Sequence, residues 1–199
     1  MIALPDGFAW DLIKSTLSFL AIFWPFWLAL GGILFLKIFF TRILPRLIRH
    51  HKTRRSFEKG KLWRSDQDLL RYLKALTPRE FEEYVAELFS RLGYKAKAVG
   101  GSDDGGIDVI AEKDGVKHYT QCKKFNNWEV RVGDVRAFYG VIAGKLSEGK
   151  AYFVTTNKFT LDSEKFAEDK PMELVDGFRL VKYIRMAEKE DAKRKKSAR

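Results

Sequence analysis

The sequence is poor in the residues that cross-link small folds or bind zinc. Its 199 residues include a single cysteine, Cys122, and three histidines. One cysteine cannot form an internal disulfide; it fits a reducing compartment, and it leaves no zinc-type cysteine spacing. The sequence also lacks a phosphate-binding P-loop, an HExxH metalloprotease motif and any internal repeat. Disulfide-stabilised, zinc-stabilised and P-loop nucleotide-binding classes are therefore excluded.

Charge is missing from a long stretch near the amino terminus. Residues 15–36 form an uncharged run of 22 residues, long enough for a helix to cross a hydrocarbon core of about 30 Å. Trp10 precedes the run, and Lys14 and Lys37 bracket it. A cleaved signal peptide would need a basic start and a small-residue cleavage site, which are missing, and a buried core helix fits this composition poorly. We expect a transmembrane helix.

Basic residues are distributed unevenly about this run. Residues 1–14 contain one lysine, whereas residues 37–64 contain ten lysines and arginines. The positive-inside rule therefore predicts a single span of the inner membrane, with the amino terminus outside and the domain after the helix in the cytoplasm. The net charge is −1 over residues 1–36, +9 over 37–76, −1 over 77–183 and +4 over 184–199. Topology and anionic lipid explain the basic segment better than DNA does.

The most informative stretch surrounds Asp114-Gly115, which lies between two runs rich in apolar and β-branched residues. Asp-Gly favours a type I′ hairpin turn, because that turn needs positive φ at both central residues. A two-residue loop there places Asp108 opposite Gln121 and Gly106 opposite Lys123, on one face of the ribbon. Two oxygen donors and an ammonium can bind a hard divalent cation and a phosphate. The alternative is the solvated face of an ordinary hairpin.

The other face of this hairpin is mostly apolar and is predicted to pack inward. It holds Ile107, Val109, Ala111, Val116, Thr120 and Cys122. Cys122 is therefore interpreted as a small buried apolar residue and not as a nucleophile. His118, on the same face near the turn, is assigned a structural role. A glycine- and acid-rich segment over residues 100–106 leads into Asp108, and Asp104 within it is interpreted as positioning the loop.

Gly106-Ile107-Asp108 on one strand and Gln121-Cys122-Lys123 on the next form a Gly-x-Asp, Gln-x-Lys pattern. Other short motifs occur around it in a fixed order: Phe81-Glu82, Leu92-Gly93-Tyr94, residues 152–156, Phe159-Thr160 and residues 174–177. Together they resemble the Mrr-like branch of the PD-(D/E)xK nuclease superfamily, in which Gln commonly replaces the usual Asp or Glu. The resemblance spans roughly residues 77–183, a little over half of the chain.

The resemblance implies an α/β fold with a restriction-endonuclease-like αβββαβ core, a mixed sheet flanked by helices. It implies a DNA endonuclease of restriction type, acting on modified or foreign DNA, with Mg²⁺ as the metal and Mn²⁺ as a second candidate. Asp108, Gln121, Lys123 and Glu82 are then the catalytic residues, and Asp108 and Gln121 the metal ligands. Cutting both strands with one site per chain favours a homodimer.

Two other functions stay open at this point. One is a catalytically silent nuclease-fold module that binds nucleic acid or a partner at the membrane. The other is a membrane scaffold whose cytoplasmic domain only mediates assembly.

Local signals place the elements of this domain. Thr77, Pro78 and Glu80 begin a helix that ends at Gly93. Further helices are predicted over residues 65–76, 131–146 and 158–170, and strands over 94–99 and 151–155. The predicted organisation is an outer segment 1–14, a transmembrane helix 15–36, a basic linker and entry helix 37–76, and a nuclease domain 77–184. A charged tail 185–199, frayed or helical, is expected to contribute nothing specific.

Overall fold

The computed structural model describes residues 8–44, 65–99, 105–146 and 148–197. The chain divides into two compact units, Met1–Arg49 and His50–Arg199. Three parts of the prediction lie outside the described residues. They are the first seven residues, the linker segment 45–64, and the loop 100–104 with Asp104.

The first unit contains one long helix, α1, over Phe8–Ile38, followed by a π-helical turn over Phe39–Ile43. The helix begins ahead of the predicted run 15–36, and Pro25 lies inside it. An apolar window of 18 residues, Trp24–Thr41, is long enough to cross a membrane, and none of it is buried in the structure. It is the one such helix among the described residues, and signal sequences share its length and composition.

A five-stranded mixed sheet forms the centre of the second unit. Its strands are β1 (Lys95–Ala98), β2 (Val109–Lys113), β3 (Val116–Lys123), β4 (Ala151–Thr155) and β5 (Met172–Val175), in the spatial order β1-β2-β3-β4-β5. The pairs β1–β2 and β2–β3 are antiparallel, and β3–β4 and β4–β5 are parallel. The described helices are α2 (Asp66–Ala75), α3 (Pro78–Arg91), α4 (Val132–Ile142), α5 (Leu161–Ala167) and α6 (Gly177–Ser197). The order α3-β1-β2-β3-α4-β4 is the predicted αβββαβ core.

Each face of the sheet carries its own apolar cluster. Tyr152 and Val154 of β4 belong to a cluster with residues of α2, α3 and α6. Ala151 and Phe153 of the same strand belong to a second cluster with residues of α4 and α5. All five residues of β4 are buried, as expected for a parallel strand covered by helices on both faces. The hairpin therefore lies beside a strand that is fixed by packing on both sides.

The predicted turn and capping signals are confirmed. Asp114 and Gly115 have φ angles of 53° and 81°, and the register runs from Val109 opposite Thr120 to the turn. Thr77 and Glu80 form both hydrogen bonds of a capping box at the start of α3. These local features orient the two elements that carry the site.

The start of β2 differs from the prediction. Regular pairing begins at Val109, and the Asp108 N–H donates to the Thr120 carbonyl at 2.9 Å, so Asp108 is not paired with Gln121 in the ladder. Ile107 packs in the cluster with α4 and α5, on the opposite side from Val109. Positive φ angles at residues 105 and 106 break the side-chain alternation on which the prediction relied.

The carboxyl-terminal tail takes the helical one of its two predicted forms, but its contribution differs from the prediction. Helix α6 is continuous to Ser197, and Ala187 within it is fully buried. Arg91 of α3, itself 8% exposed, forms ion pairs with Glu87 at 2.9 Å and with Asp191 of α6. The tail therefore makes a specific buried contact with the core. The sequence did not predict this contact, because an ion-pair partner one hundred residues away leaves no local pattern.

Candidate active site

The Asp108 carboxylate lies just before the start of β2, beside the carboxyl end of β3. Its Oδ2 accepts a hydrogen bond from the Cys122 N–H at 2.7 Å. Burial raises the pKa of Asp108 to about 6. The hydrogen bond from Cys122 opposes this rise, the negative charge of Glu82 adds to it, and the positive charges of Arg79 and Lys123 oppose it. Asp108 is therefore within electrostatic reach of two other predicted site residues.

Gln121 lies against the glycine that precedes Asp108. A Cβ atom at Gly106 would come within 2.8 Å of the Gln121 Nε2 atom, and Gly106 has φ +87°. The prediction had placed Gly106 opposite Lys123; the structure places it against Gln121 instead. Gln121 Oε1 is buried and accepts no hydrogen bond from any residue in the described part of the chain. A buried oxygen normally has a partner, so a positively charged ligand fits here.

Lys123 is held by an acidic residue of the following helix. Its Nζ lies 2.5 Å from Asp134 Oδ1, in the first turn of α4, and 5.6 Å from the centre of the Phe125 ring. Both ion-pair side chains are about one-third exposed. The pair holds the ammonium at the end of β3 and leaves it accessible to solvent and to a substrate.

Glu82 approaches the same site from helix α3. Its Oε2 accepts a hydrogen bond from Arg79 Nη1 at 2.9 Å, and its side chain is 15% exposed. Arg79 also lies 3.4 Å from Glu83. Because Glu82 influences the pKa of Asp108, the predicted reach of this glutamate towards the site agrees with the electrostatics. The structure thus brings Asp108, Gln121, Lys123 and Glu82 into one region.

Two residues of this region were missed by the sequence reading, namely Arg79 and Asp134. Asp134 lies in the first turn of the helix predicted over residues 131–146. Acidic residues are common in a first turn because they interact favourably with the helix dipole. Arg79 is one position after a helix-initiating proline, three residues before Glu82. The i, i+3 spacing of Arg79 and Glu82 was the available signal, whereas nothing local links Asp134 to Lys123.

The two residues assigned to structural roles on the other face lie in the expected environments. Cys122 packs against the α2, α3 and α6 cluster, and burial raises the pKa of its thiol well above the usual value. His118 Nδ1 accepts a hydrogen bond from the Lys150 N–H at 3.1 Å, and its ring lies 5.3 Å from that of Tyr94. Burial also lowers the pKa of His118.

Oxygen donors dominate this site. The described residues contain no group of three or more His, Cys, Asp and Glu side chains arranged to hold a metal. The donor set is instead one carboxylate, Asp108, and one buried amide oxygen, that of Gln121, without a partner in the described part of the chain. Oxygen donors of this kind fit a hard divalent cation that retains several of its waters, as Mg²⁺ does.

The fold is that of restriction endonucleases. The chain is similar to the solved structure of the DNA modification-dependent restriction endonuclease AspBHI, with a TM-score of 0.51 and 20% sequence identity. The match covers 64% of this chain and 38% of that one. The predicted fold class is thereby confirmed.

The sequence identifies the family within that fold. The restriction endonuclease family model Mrr_cat matches residues 73–184, and this chain belongs to the Mrr restriction endonuclease family. It is 38% identical over 125 residues to the type IV methyl-directed restriction enzyme EcoKMrr of Escherichia coli strain K12. That match covers 57% of this chain and 40% of the relative, so the chain spans about two-fifths of the relative's length. The predicted family is confirmed, and the region matched by its model begins after α1.

Proposed function

We propose that this chain is a membrane-anchored, Mg²⁺-dependent DNA endonuclease whose site is formed by Asp108, Gln121, Lys123 and Glu82. The observation that carries the proposal is the buried Gln121 Oε1, which has no partner among the described residues. Gln121 directly precedes Cys122, whose N–H donates to the Asp108 carboxylate. Family membership gives the class of reaction, hydrolysis of a phosphodiester bond in DNA. Mn²⁺ is the second candidate metal.

Asp108 and Gln121 would hold the metal, and the negative charge of Glu82 would act on Asp108. When bound, such a cation lowers the pKa of a coordinated water and polarises a phosphoryl oxygen. Asp108 supplies the single anionic ligand, and Gln121 a neutral one. The Lys123 ammonium, positioned by Asp134, donates hydrogen bonds to the attacking water or to a non-bridging phosphate oxygen and offsets developing negative charge.

The proposed substrate is modified or foreign DNA. The E. coli relative is a methyl-directed restriction enzyme by name, and the structurally similar AspBHI is modification-dependent by name. Only part of the relative is shared with this chain. We infer that the shared catalytic domain acts on DNA here as well, and that two chains associate to cut both strands.

We propose that α1 anchors this domain to the inner membrane. No residue of its apolar window is buried in the structure, whereas a core helix would be mostly buried. The ten basic residues of 37–64 favour a cytoplasmic location for everything that follows, and they suit anionic lipid. The proposed division is therefore an outer segment 1–14, a transmembrane helix 15–36, a linker 37–76, a nuclease domain 77–184 and the tail 185–199.

Cleavage assays on the full chain test the nuclease proposal. The chain is purified with detergent and incubated with methylated and unmethylated plasmid, in Mg²⁺ or in EDTA, beside Asp108→Ala and Lys123→Ala. We expect cutting that requires the metal and is lost in both variants. If a folded chain cuts neither plasmid in Mg²⁺, the catalytically silent binding module becomes the better description. The methylation arm decides the substrate.

Membrane extraction tests the anchor. After cell lysis we expect the chain to stay in the membrane pellet through an alkaline carbonate wash. The double variant Leu28→Arg and Leu34→Arg places two charges in the apolar window and should release it. Release of the unaltered chain by the wash would contradict the anchor and leave the nuclease proposal intact.

A further inference from the structure

Exposed apolar side chains are concentrated at one edge of the sheet. Among the described residues of the second unit, the large exposed apolar side chains are Trp128, Leu161, Phe178 and Met186, with exposed fractions of 70, 73, 79 and 46%. The first three follow the carboxyl ends of β3, β4 and β5, respectively. These strands are parallel neighbours, so their carboxyl ends meet at one edge of the sheet. Lys123 is the last residue of β3 at this edge.

The loop that presents Trp128 is held by side chains of other elements. Three of its backbone carbonyls accept hydrogen bonds: Phe125 from Thr156 Oγ1 at 2.9 Å, Asn126 from Lys74 Nζ at 3.3 Å, and Trp128 from Asn157 Nδ2 at 2.9 Å. The Val130 N–H, two residues on, donates to the Lys158 carbonyl at 2.9 Å. The loop backbone is thus ordered before any partner binds, which lowers the entropy cost of binding. An indole held in solvent in this way contributes nothing to the core.

Four basic residues lie in or beside this loop and the elements that hold it. Lys74, Lys124, Arg131 and Lys158 form no ion pair with any residue the structure describes. Lys74 and Lys158 line a cavity of about 370 Å³ together with Phe178 and Asn157. The Lys74 and Lys124 ammonium groups donate to the Asn126 and Lys74 carbonyls, but no described carboxylate neutralises any of the four charges.

Two of the nearby carboxylates are paired with cations. Asp66 pairs with Arg185, and Asp134 pairs with Lys123. Asp176, which accepts the Arg179 backbone N–H, and Glu129 and Asp162 form no ion pair within the described part of the chain and partly offset the four cations. The edge therefore combines an aromatic face with an excess of positive charge, the combination that suits nucleic acid.

We propose that Trp128 stacks on a nucleotide of the DNA strand next to the phosphate that is cut. The inference rests on the proposed nuclease function, because the loop directly follows Lys123 and its neighbour Lys124 in the chain. The four cations match the phosphates of a strand lying along this edge. The indole supplies a flat π-face to a base that has left the duplex stack, and every base has such a face, so the contact adds affinity without demanding one sequence.

Equilibrium DNA binding by the full chain tests the stacking contact. The Asp108→Asn chain, in EDTA to prevent cutting, is titrated into a fluorescein-labelled duplex and followed by anisotropy. The variants Trp128→Ala, Trp128→Leu and Trp128→Phe are compared in this background. We expect Ala and Leu to weaken binding about tenfold, and Phe to stay within about threefold of the parent. Met186→Ala, an exposed apolar residue beside Tyr94 and Lys113, is the matched control and should bind as the parent does.

The possible results separate this inference from the nuclease proposal. If Trp128→Ala binds like the parent, or if Leu serves as well as Phe, the stacking contact is overturned even when the chain cuts DNA. If Trp128→Ala changes the oligomeric state on a sizing column while DNA affinity is unchanged, the edge is an interface between two copies and the inference is equally wrong. If binding depends on the aromatic ring but the unaltered chain cuts no DNA, the stacking contact stands, whereas its place beside a cut phosphate and the nuclease proposal both fail.

Discussion

Asp108 is ionised at the expense of folding stability. Its pKa in the folded protein is about 6, above the usual 3.8, because burial disfavours the charged carboxylate. Below both values the group is protonated in the folded and unfolded chain, so it has no effect on stability. Between about pH 4 and pH 6 Asp108 loses its proton in the unfolded chain but keeps it in the folded one, so the free energy of unfolding falls as the pH rises. Above pH 6 the carboxylate is ionised in both states, and this loss of stability stays constant.

Asp108→Asn should therefore stabilise the metal-free protein at pH 8. Asparagine retains an oxygen that accepts the Cys122 N–H but carries no charge. We expect a gain of about 1 kcal/mol, allowing for partial exposure of the carboxylate, measured by thermal unfolding in EDTA. The gain should shrink towards zero at pH 4. An unchanged or lower melting temperature at pH 8 would show that the Asp108 charge is compensated in the folded state.

Asp134 positions Lys123, and the effect of removing it should appear in catalysis more than in stability. Because the pair is about one-third exposed, Asp134→Asn should cost less than about 1 kcal/mol in the free energy of unfolding. Misplacement of the ammonium should lower kcat about 10- to 100-fold, with KM changing less. Asp169→Asn, which removes an exposed pair with Lys170 ahead of β5, is the control and should change neither. An equal loss in both variants would assign the effect to surface charge.

At the level of secondary-structure elements, the hairpin depends on two glycines for different reasons. Gly115 has φ +81° and a Cβ atom added there would meet no other atom within 4 Å, whereas Gly106 has φ +87° and lies against Gln121. A substitution at Gly115 therefore reports backbone strain alone. One at Gly106 adds a collision with a proposed metal ligand.

Comparing Gly106→Ala with Gly115→Ala isolates the close approach. We expect Gly115→Ala to cost about 1 kcal/mol in the free energy of unfolding and to leave metal binding unchanged. Gly106→Ala should cost roughly a further 1–3 kcal/mol and weaken Mg²⁺ binding measured by calorimetry. Equal effects of the two substitutions on stability and on metal affinity would remove the argument that Gly106 makes room for Gln121.

Across the second unit as a whole, α6 is joined to α3 by an ion pair that the tail's composition does not suggest. Asp191→Asn leaves the largely buried Arg91 with Glu87 as its carboxylate partner, and should cost about 2 kcal/mol in chemical unfolding. Glu190→Gln, the adjacent residue, removes an exposed i, i+3 pair with Lys193 and should cost less than about 0.5 kcal/mol. Similar small effects at both positions would show that the tail is dispensable for stability.

Local chemistry explains which parts of the molecule were predictable. The capping box at Thr77, the Asp114-Gly115 turn and the apolar strand Ala151–Thr155 each depend on neighbouring residues, so all three follow from the amino-acid sequence. The order of these elements, with the Gly-x-Asp and Gln-x-Lys motifs, was enough for the fold class and the family. The roles of the four site residues remain proposals.

Packing between different elements completes the site, and no local sequence pattern predicts it. Asp134 of α4 reaches Lys123 at the end of β3, and the charge of Glu82 on α3 acts on Asp108. Gln121 Oε1 is buried without a described partner only once these elements have packed. The shift at Asp108 arises because two positive φ angles interrupt the strand just before it, so the hairpin register could not be extrapolated to that residue. Turns and caps follow from local backbone preferences, whereas burial and long-range ion pairs exist only once the sheet and its helices have packed.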